Sequence, residues 1–362
     1  MTARISALVV RAAGSAPAIE QVRLPEVGPG RARVRIRAAG VCHSDLSMVN
    51  GTLRPPYPLI LGHEAAGEVV EVGDHVTAAG VGEHVALNWQ PACRTCWFCT
   101  HGEPWLCATR AGIAALQNGS MLDDAPVHVT LGLGAFAEEV VVPENAIIPV
   151  PTELDWPTAA LLGCAVLTGT GAVRNTARVA SGDSVVVIGL GGVGLSVVAA
   201  ARAAGAYPII AVDISPAKKA LAETGGATDF VVASDGLSKD IRRLTSGRGA
   251  DHAFECVGRS VTIRAAWRST RRGGQVTVVG MGRGDDEVSL SALDIFSSAR
   301  TLRSSIYGSS DPDVELPALA RDALSGTLSL DHLVTERIAL AGVPAAFDRM
   351  SRGEGARSVV LF

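Results

Sequence analysis

The pattern of hydrophobic and polar positions changes its period along the chain. Residues 31–39 and 65–72 alternate between apolar and polar side chains in short runs bounded by Gly and Pro, which is typical of half-buried strands. Residues 158–173 are rich in Ala and Leu and predict a helix. The first third of the chain is therefore predicted to be β-rich.

Beyond this helix, short apolar runs alternate with helical stretches in a βαβ rhythm, which predicts one doubly wound Rossmann sheet. Its six predicted strands cover residues 184–188, 209–213, 230–232, 252–255, 275–279 and 301–305. Helices are predicted between them at 192–204, 215–224 and 260–269. After Gly308 the rhythm stops, and the tail predicts helices at 317–324 and 344–350 and a strand at 358–362.

The composition fits a two-domain α/β protein. At roughly 100 to 200 residues per domain, 362 residues suggest two domains, and 48% hydrophobic with 4% aromatic residues implies aliphatic cores. The net charge is -4 and the Lys and Arg residues are scattered, so the sequence shows no basic patch that would bind nucleic acid. The apolar stretch 7–10 ends at Arg11, too short for a signal sequence or membrane span. We therefore expect a cytoplasmic protein with no membrane partner.

Four of the seven cysteines form a lobe with the spacing C-x2-C-x2-C-x7-C, namely Cys93, Cys96, Cys99 and Cys107. Gly102 and Pro104 in the same segment predict a loop rather than a helix or strand. Four thiolates can close a tetrahedral zinc site, and a site without an open position is structural. The alternatives are an iron–sulfur cluster, which has other characteristic spacings, and buried core cysteines, which would not cluster in such a loop.

A second metal site is predicted from residues that are far apart in the sequence. Cys42, His63 and Cys164 offer two thiolates and an imidazole, and two cysteines and a histidine with one open position are a known ligand set of catalytic zinc. Each of the three taken alone is more often an ordinary buried side chain. Together they predict a metal centre that can bind substrate or water.

Three neighbours of these ligands fit the same chemistry. Ser44 could hydrogen-bond to a substrate oxygen and carry its proton outward. Asp45 could accept the free ring N–H of His63, or it could cap a turn. Glu64 could reach the metal transiently or shape the field behind it, or it could be a salt-bridged surface acid.

A glycine-rich turn follows the predicted strand 184–188. It has the pattern G-x-G-x-x-G and comprises Gly189, Gly191, Gly192, Val193 and Gly194. Between a strand and a helix, these glycines let the backbone approach a pyrophosphate at the helix N-terminus.

An acidic residue at the end of the next predicted strand bears on the choice of cofactor. Asp213 lies 24 residues after Gly189, where a carboxylate accepts hydrogen bonds from the adenosine ribose. It would also repel a 2′-phosphate, so NAD is expected rather than NADP. A loop with a capping Asp is the alternative.

The motifs resemble those of the zinc-containing medium-chain alcohol dehydrogenases from about Gly40 to Phe362. The most specific matches are GVCHSDL, LGHEAAGEV, the four-cysteine lobe, LLGCAVLTGTGAVRNT and VIGLGGVGL. The resemblance implies a GroES-like catalytic domain over 1–165 with the structural zinc lobe at 93–107. It further implies a Rossmann domain over 166–306 and a return to the catalytic domain over 307–362.

The resemblance also implies roles for single residues. Cys42, His63 and Cys164 would hold catalytic zinc, with Glu64 as an occasional ligand and Ser44 at the start of a proton relay. Further implied positions are Lys218 beside the adenosine ribose, His43 and Arg357 facing the pyrophosphate, and Trp89, Leu53 and Ile306 in the wall of the substrate pocket. For the basic residues, a solvated surface charge is the alternative.

Two features bear on mechanism and substrate. Many liver-type relatives carry a histidine five residues after the first zinc cysteine, where this chain has Ser47, so the relay would end in water or the cofactor ribose. LNWxPAC, LGLGAFAEE and SSIYG look closest to bacterial branches near the glutathione- and mycothiol-dependent formaldehyde dehydrogenases. Arg110 lies near, but not at, the position that holds the thiol carboxylate in the glutathione enzymes.

These observations predict an NAD-dependent dehydrogenase with two zinc ions per chain, acting on a primary alcohol or its aldehyde. Trp89 and loops within 111–131 would shape its pocket for a bulky or aromatic substrate. A thiol–formaldehyde adduct or an S-nitrosothiol is the alternative substrate, and a non-catalytic NAD-binding scaffold or sensor is the alternative role. By resemblance, the SSIYG strand would pair two chains in a homodimer or within a tetramer. Cys256 is left over and is expected to pack beside the cofactor.

Overall fold

The computed structural model describes residues 4–110 and 114–362, in which the strands form a barrel and two open sheets. The barrel is closed by β1 (Arg4–Val10), β2 (Ala18–Arg23), β7 (Ala115–Leu122), β8 (Ala125–Thr130) and β4 (Leu59–Ile60). The second sheet comprises β10 (Ile147–Pro149), β6 (His84–Leu87), β5 (Ala65–Val72), β3 (Arg31–Gly40), β18 (Arg357–Leu361), β17 (Val334–Ile338) and, paired to β3, β9 (Glu139–Pro143).

Strand β3 shows why the predicted alternation forms a sheet. Ala32, Val34 and Ile36 are fully buried, and the arginines between them are at least partly exposed. Because side chains of a strand point alternately to opposite faces, one face of β3 joins the core of the β-rich domain. The predicted β-rich first third is confirmed.

The third sheet is entirely parallel and has the order β13-β12-β11-β14-β15-β16. Its strands are β11 (Val185–Ile188), β12 (Ile209–Asp213), β13 (Asp229–Val232), β14 (Ala250–Glu255), β15 (Thr270–Val278) and β16 (Thr301–Ser304). In chain order this is 3-2-1-4-5-6, the order of a Rossmann fold. The six predicted strands and the doubly wound class are thus confirmed.

Helices accompany the sheets throughout the described chain. They are α1 (His43–Val49), α2 (Trp97–Thr100), α3 (Trp156–Leu161), α4 (Leu167–Gly171), α5 (Gly192–Ala203), α6 (Lys219–Gly225), α7 (Leu237–Leu244), α8 (Ser260–Ser269), α9 (Ala292–Ser298), α10 (Pro312–Leu324) and α11 (Val343–Ser351). Helix α8 has the predicted bounds. The bounds of α5 and α11 lie within one residue of those predicted for them.

Three predicted details are wrong. Helix α10 starts at Pro312 rather than at Pro317, because the Asp311 side chain accepts a hydrogen bond from the backbone N–H of Asp313 and caps the earlier turn. Of the predicted loop 111–131, residues 111–113 lie outside the described residues, and most of the remainder is the antiparallel hairpin of β7 and β8. The cysteine lobe is not purely a loop, since it contains α2 and the 3-10 turn Pro104–Leu106.

One helical run could be mistaken for a membrane span. By length and composition the 22 residues of Trp156–Ala177 are apolar enough to cross a bilayer, but 94% of the most apolar window is buried inside the protein. The run includes the π-helical turns Leu162–Val166 and Ala172–Ala177. It is therefore a core helix of this fold.

Candidate active site and metal centres

Cys42, His63 and Cys164 meet at one buried point, with their ligand atoms all within 4.8 Å of one another. Cys42 follows β3 and directly precedes α1, and His63 lies between β4 and β5. Cys164 projects from the π-helical turn Leu162–Val166, an irregularity that is frequent at functional sites. The fold therefore brings together three residues from separate segments.

The donor set of this cluster fits zinc. The pKa of Cys42 lies well below its usual value because of the hydrogen bond with Cys164, although burial opposes the shift. The thiolate is the metal-binding form of cysteine. Two sulfurs and one imidazole nitrogen leave a tetrahedral ion one open position.

Asp45 supports the imidazole from behind. Its Oδ1 lies 3.2 Å from His63 Nδ1 and accepts a hydrogen bond from the backbone N–H of Gly62 at 2.9 Å. Asp45 is fully buried, so the turn-capping alternative is not what the geometry shows. A carboxylate on Nδ1 directs the Nε2 lone pair of His63 toward the cluster.

Replacing Asp45 with Asn should weaken zinc binding at this site by about tenfold, because a ligating histidine loses its charged partner. Zinc retained per chain, measured during dialysis against graded chelator, tests this. The four-cysteine lobe is the internal control, since its zinc should be unaffected. Identical retention by variant and parent at both sites would contradict the assigned role.

Glu64 and Arg357 form a buried pair beside the ligands. Glu64 Oε2 lies 3.5 Å from Arg357 Nη1, and Glu64 Oε1 accepts the backbone N–H of Ala165 at 3.1 Å. Burial raises the pKa of Glu64 to about 7, although the charge of Arg357 opposes the shift. Glu64 is fully buried, so it is not a surface acid, and its carboxylate lies between the metal cluster and the nucleotide turn.

The metal-ligand cluster has a polar and an aromatic neighbour. Ser44 Oγ lies 3.9 Å from Cys42 Sγ, which places a hydroxyl beside a metal ligand. The Trp89 ring stands edge-on to His63 with centroids 6.5 Å apart. It also packs on Tyr307 at 4.3 Å. A proton-accepting group and an aromatic wall therefore border the predicted metal.

Tyr307 and Asn88 were missed by sequence reasoning. The Tyr307 hydroxyl donates a hydrogen bond to Gly163 O at 2.6 Å and lies 3.2 Å from Asn88 Oδ1. It thereby supports the backbone just before Cys164. The only available signal was their presence in the LNWxPAC and SSIYG segments.

No contact links the other two predicted pocket residues, Leu53 and Ile306, to the metal ligands in the described part of the chain. Leu53 packs against the core of the β-rich domain and donates its backbone N–H to Ser47 O at 2.8 Å. Ile306 is 48% exposed. Their pocket role stays a prediction.

The four cysteines of the lobe also converge, with all four Sγ atoms within 4.8 Å of one another. Backbone N–H groups point at the sulfurs, for example from Cys96 to Cys93 Sγ at 3.3 Å. The hydrogen bond from Thr95 lowers the pKa of Cys93 to about 5. Four sulfurs in this arrangement leave no open position, so the lobe fits structural zinc.

Arg94 ties this lobe to the far end of the chain and was not predicted. Its guanidinium donates to both carboxylate oxygens of Asp311 at 2.6 Å and also binds Asp313. Both acids lie at the start of α10. A bidentate pair of this kind fixes orientation as well as distance.

The glycine turn has the tight geometry that a bound pyrophosphate requires. Gly189 adopts φ +92°, and a Cβ on Gly194 would collide with the Gly189 carbonyl oxygen. A Cβ on Gly192 would collide with the Arg357 side chain. The turn therefore packs closely against β11, and a buried cation stands at the N-terminus of α5, where anions bind favourably.

The remaining predicted nucleotide residues occupy distinct places. Asp213 Oδ2 accepts the Leu190 N–H at 2.8 Å, which fixes the acid beside the glycine turn. Lys218 is buried and its Nζ donates to Gly355 O, so it is not a solvated surface charge. His43 begins α1 beside Cys42 and is exposed.

Arg357 is the residue that joins the two sites. Its Nη1 donates to Val41 O at 2.8 Å, and the residue is only 3% exposed. Its Nε is buried without a hydrogen-bond partner in the described part of the chain. An orphaned cationic donor beside a glycine turn fits a bound pyrophosphate.

Comparisons with known proteins agree with this geometry. The alcohol dehydrogenase GroES-like domain family matches residues 28–152, and the zinc-binding dehydrogenase family matches residues 192–322. Together, the two-domain architecture and the paired metal clusters are those of a zinc-binding dehydrogenase. The chain belongs to the zinc-containing medium-chain alcohol dehydrogenase family, near its class III branch.

Several relatives match along almost the whole chain. An S-(hydroxymethyl)glutathione dehydrogenase of Escherichia coli is 35% identical over 98% of this chain and 99% of its own length. The solved structure of an alcohol dehydrogenase zinc-binding domain protein from Burkholderia ambifaria has TM-score 0.92 at 32% identity and covers both chains fully. Benzyl alcohol dehydrogenase from Acinetobacter calcoaceticus has TM-score 0.92 at 27% identity, covering 99% of each chain.

Proposed function

We propose that this dehydrogenase interconverts a primary alcohol and its aldehyde with NAD. The observation that carries the proposal is the buried cluster of Cys42, His63 and Cys164 beside the Trp89 ring. An aromatic wall favours a bulky or aromatic substrate. Likeness to a benzyl alcohol dehydrogenase over nearly the full chain supports that substrate class.

The chain's own residues supply the arrangement for this reaction. When bound, zinc would supply Lewis-acid chemistry at the substrate hydroxyl, and NAD would supply the hydride acceptor. Cys42, His63 and Cys164 would hold the metal, and the N-terminus of α5 with Arg357 would hold the pyrophosphate. Ser44 would accept the hydroxyl proton and pass it outward, and Ser47 has no imidazole to extend the relay.

A panel of alcohols and aldehydes, assayed with NAD and NADP on protein of known zinc content, tests the proposal. We expect alcohol-driven NADH formation by protein with two zinc ions per chain, fastest with bulky or aromatic primary alcohols. A protein that carries both zinc ions yet turns over none of the panel would instead support a non-catalytic NAD-binding scaffold or sensor.

A thiol adduct is the second candidate substrate, because the full-length relatives include S-(hydroxymethyl)glutathione dehydrogenases. The Nη2 atom of Arg110 donates hydrogen bonds to the carbonyl oxygens of Trp89 and Leu131 at 2.9 and 2.8 Å. Arg110 is therefore not positioned to bind the carboxylate of a thiol substrate. Formaldehyde oxidation with and without glutathione or mycothiol separates the candidates. Strict thiol dependence would replace the primary-alcohol proposal.

Asp213 is expected to set the preference for NAD. Replacing it with Asn should lower the ratio of kcat/KM for NAD over NADP by about tenfold or more, because one charge repelling the 2′-phosphate is removed. Steady-state kinetics with both cofactors measures the ratio. The exposed Asp235 supplies the matched control Asp235→Asn, which should leave it unchanged. An unaltered ratio in Asp213→Asn would count against the assignment.

A homodimer through β16 is the assembly that the sheet supports. Among the described residues, strand β16 pairs only with β15 and lies at the edge of the Rossmann sheet. An unpaired edge is a template for pairing with a second copy. Nearby apolar side chains are exposed, with Leu302 at 43% and Phe296 at 86%.

Leu302→Arg should shift the protein from dimer to monomer, because it would bury an unpaired charge at the strand edge. Light scattering after size exclusion gives the mass. Val81→Arg, at a position 65% exposed in the β-rich domain, is the control and should stay dimeric. A parent protein that is monomeric, or a Leu302→Arg variant that stays dimeric, would contradict this interface.

A further inference from the structure

Strand β17 contains one extra residue where it pairs with β18. Val334 pairs with Arg357 and Glu336 pairs with Ser358, so Thr335 is the additional residue of an irregularity of the β-bulge type. Bulges re-aim side chains and are over-represented next to active sites. The Thr335 side chain is therefore able to bond outside the regular ladder.

The Thr335 hydroxyl bonds to the backbone where β18 begins. Its Oγ1 donates a hydrogen bond to the carbonyl oxygen of Arg357 at 3.2 Å and accepts the N–H of Ala356 at 2.9 Å. Because these two backbone groups belong to consecutive residues, one hydroxyl fixes the path of the chain through residues 355–357. These three residues form the entry segment of β18.

Gly355, the first residue of the entry segment, is matched to this hydroxyl. It adopts φ +62°, in the left-handed region, and a Cβ there would lie 2.8 Å from Thr335 Oγ1. A side chain at this position would strain the backbone and displace the hydroxyl. The bonds of Thr335 therefore depend on glycine at position 355.

Both ends of the entry segment reach residues that are proposed to bind the cofactor. The Gly355 carbonyl oxygen accepts a hydrogen bond from Nζ of Lys218, which is only 5% exposed. At the other end, the Arg357 side chain occupies the space that a Cβ on Gly192 would need. The entry segment therefore contacts the proposed ribose side and the proposed pyrophosphate side of the nucleotide site at once.

The contact with Gly355 orients the Lys218 ammonium group without consuming it. A lysine ammonium has three N–H donors, so Nζ can donate to the Gly355 carbonyl and still donate to a ligand. Burial lowers the pKa of Lys218, and the charge of Asp213 opposes that shift. A displaced carbonyl would therefore release a buried cation from the position in which it faces the ribose.

We propose that Thr335 is a positioning residue for the cofactor. Its hydroxyl acts through Gly355 on the ribose contact of Lys218 and through the Arg357 backbone on the pyrophosphate contact. The inference rests on the proposed function with NAD. Cofactor affinity then depends on a hydroxyl that belongs neither to the glycine turn nor to the segment that carries Asp213 and Lys218.

Calorimetric titration of NAD into the zinc-loaded full chain tests the inference. Thr335→Val keeps the shape of the side chain but removes both hydrogen bonds, and it should weaken NAD binding about fivefold. Thr335→Ser keeps the hydroxyl and should restore the affinity of the parent protein. Thr152→Val makes the same change as Thr335→Val at an exposed threonine that precedes α3, and it should leave binding unchanged.

Gly355→Ala provides a second test that leaves Thr335 in place. It should weaken NAD binding at least as much as Thr335→Val, because the added Cβ displaces the hydroxyl. Equal affinity of the parent protein and Thr335→Val, or equal losses in Thr335→Val and Thr335→Ser, would overturn the inference and leave the proposed function standing. A parent protein that binds no NAD would overturn both.

Discussion

Cys42→Ser is expected to lower kcat/KM by roughly a thousandfold without unfolding the chain, because a metal acting as a Lewis acid supplies several kcal/mol, about 4, of transition-state stabilisation. Serine is nearly isosteric but is not a thiolate at neutral pH. The cluster then keeps only His63 and Cys164 as ligands, too few to hold a tetrahedral ion with one open position. Zinc content should fall from two ions to one.

The measurement pairs steady-state kinetics with zinc analysis on the same preparation. Cys256→Ser is the matched control, because Cys256 is the seventh cysteine and belongs to neither cluster. It should retain two zinc ions and most of the activity. A Cys42→Ser variant with one zinc ion and parental activity would remove Cys42 from the mechanism.

Cys107→Ser is expected to have the largest effect on stability. Cys107 is the fully buried member of the four-cysteine lobe, and loss of one thiolate opens a closed zinc site whose binding energy is also folding energy. The apparent melting temperature should fall by about 5 °C, the shift expected for a few kcal/mol in a chain of this size. One zinc ion per chain should be lost.

Scanning calorimetry, zinc analysis and limited proteolysis of the lobe test this prediction. The variant should be cleaved within residues 93–107 much faster than the parent protein, because the short helical turns there depend on the metal. Cys256→Ser again serves as control and should melt close to the parent. If Cys107→Ser retained two zinc ions and an unchanged melting temperature, the lobe would not be a structural zinc site.

Different parts of the fold were predictable to different degrees. The Rossmann sheet was predicted strand by strand, because buried parallel strands form short apolar runs such as residues 185–188. The hairpin of β7 and β8 was interpreted as a loop because Asn118 and Gly119 interrupt β7 and most of the hairpin positions are not buried. The start of α10 was misplaced because Pro317 suggested a first turn, whereas the Asp311 cap stabilises an earlier one.

The candidate site also has features that the local sequence predicts and features that it does not. The spacing of the lobe cysteines and the glycine turn are local, so a few residues of backbone fix their geometry. The contacts that hold the lobe in place and organise the active site are not local. Arg94 reaches Asp311 across 217 positions, Tyr307 reaches Gly163 across 144, and Arg357 reaches Val41 across 316.

The sequence by itself determined that the chain is an α/β protein with a four-cysteine lobe, a ligand set of two cysteines and one histidine, and a dinucleotide turn, because periodicity and short motifs depend on local backbone geometry. Only the tertiary structure decided that Glu64 and Arg357 form a buried pair between the candidate metal site and the glycine turn. The reason is physical: burial and charge pairing depend on which distant segments pack together, and no local pattern encodes that.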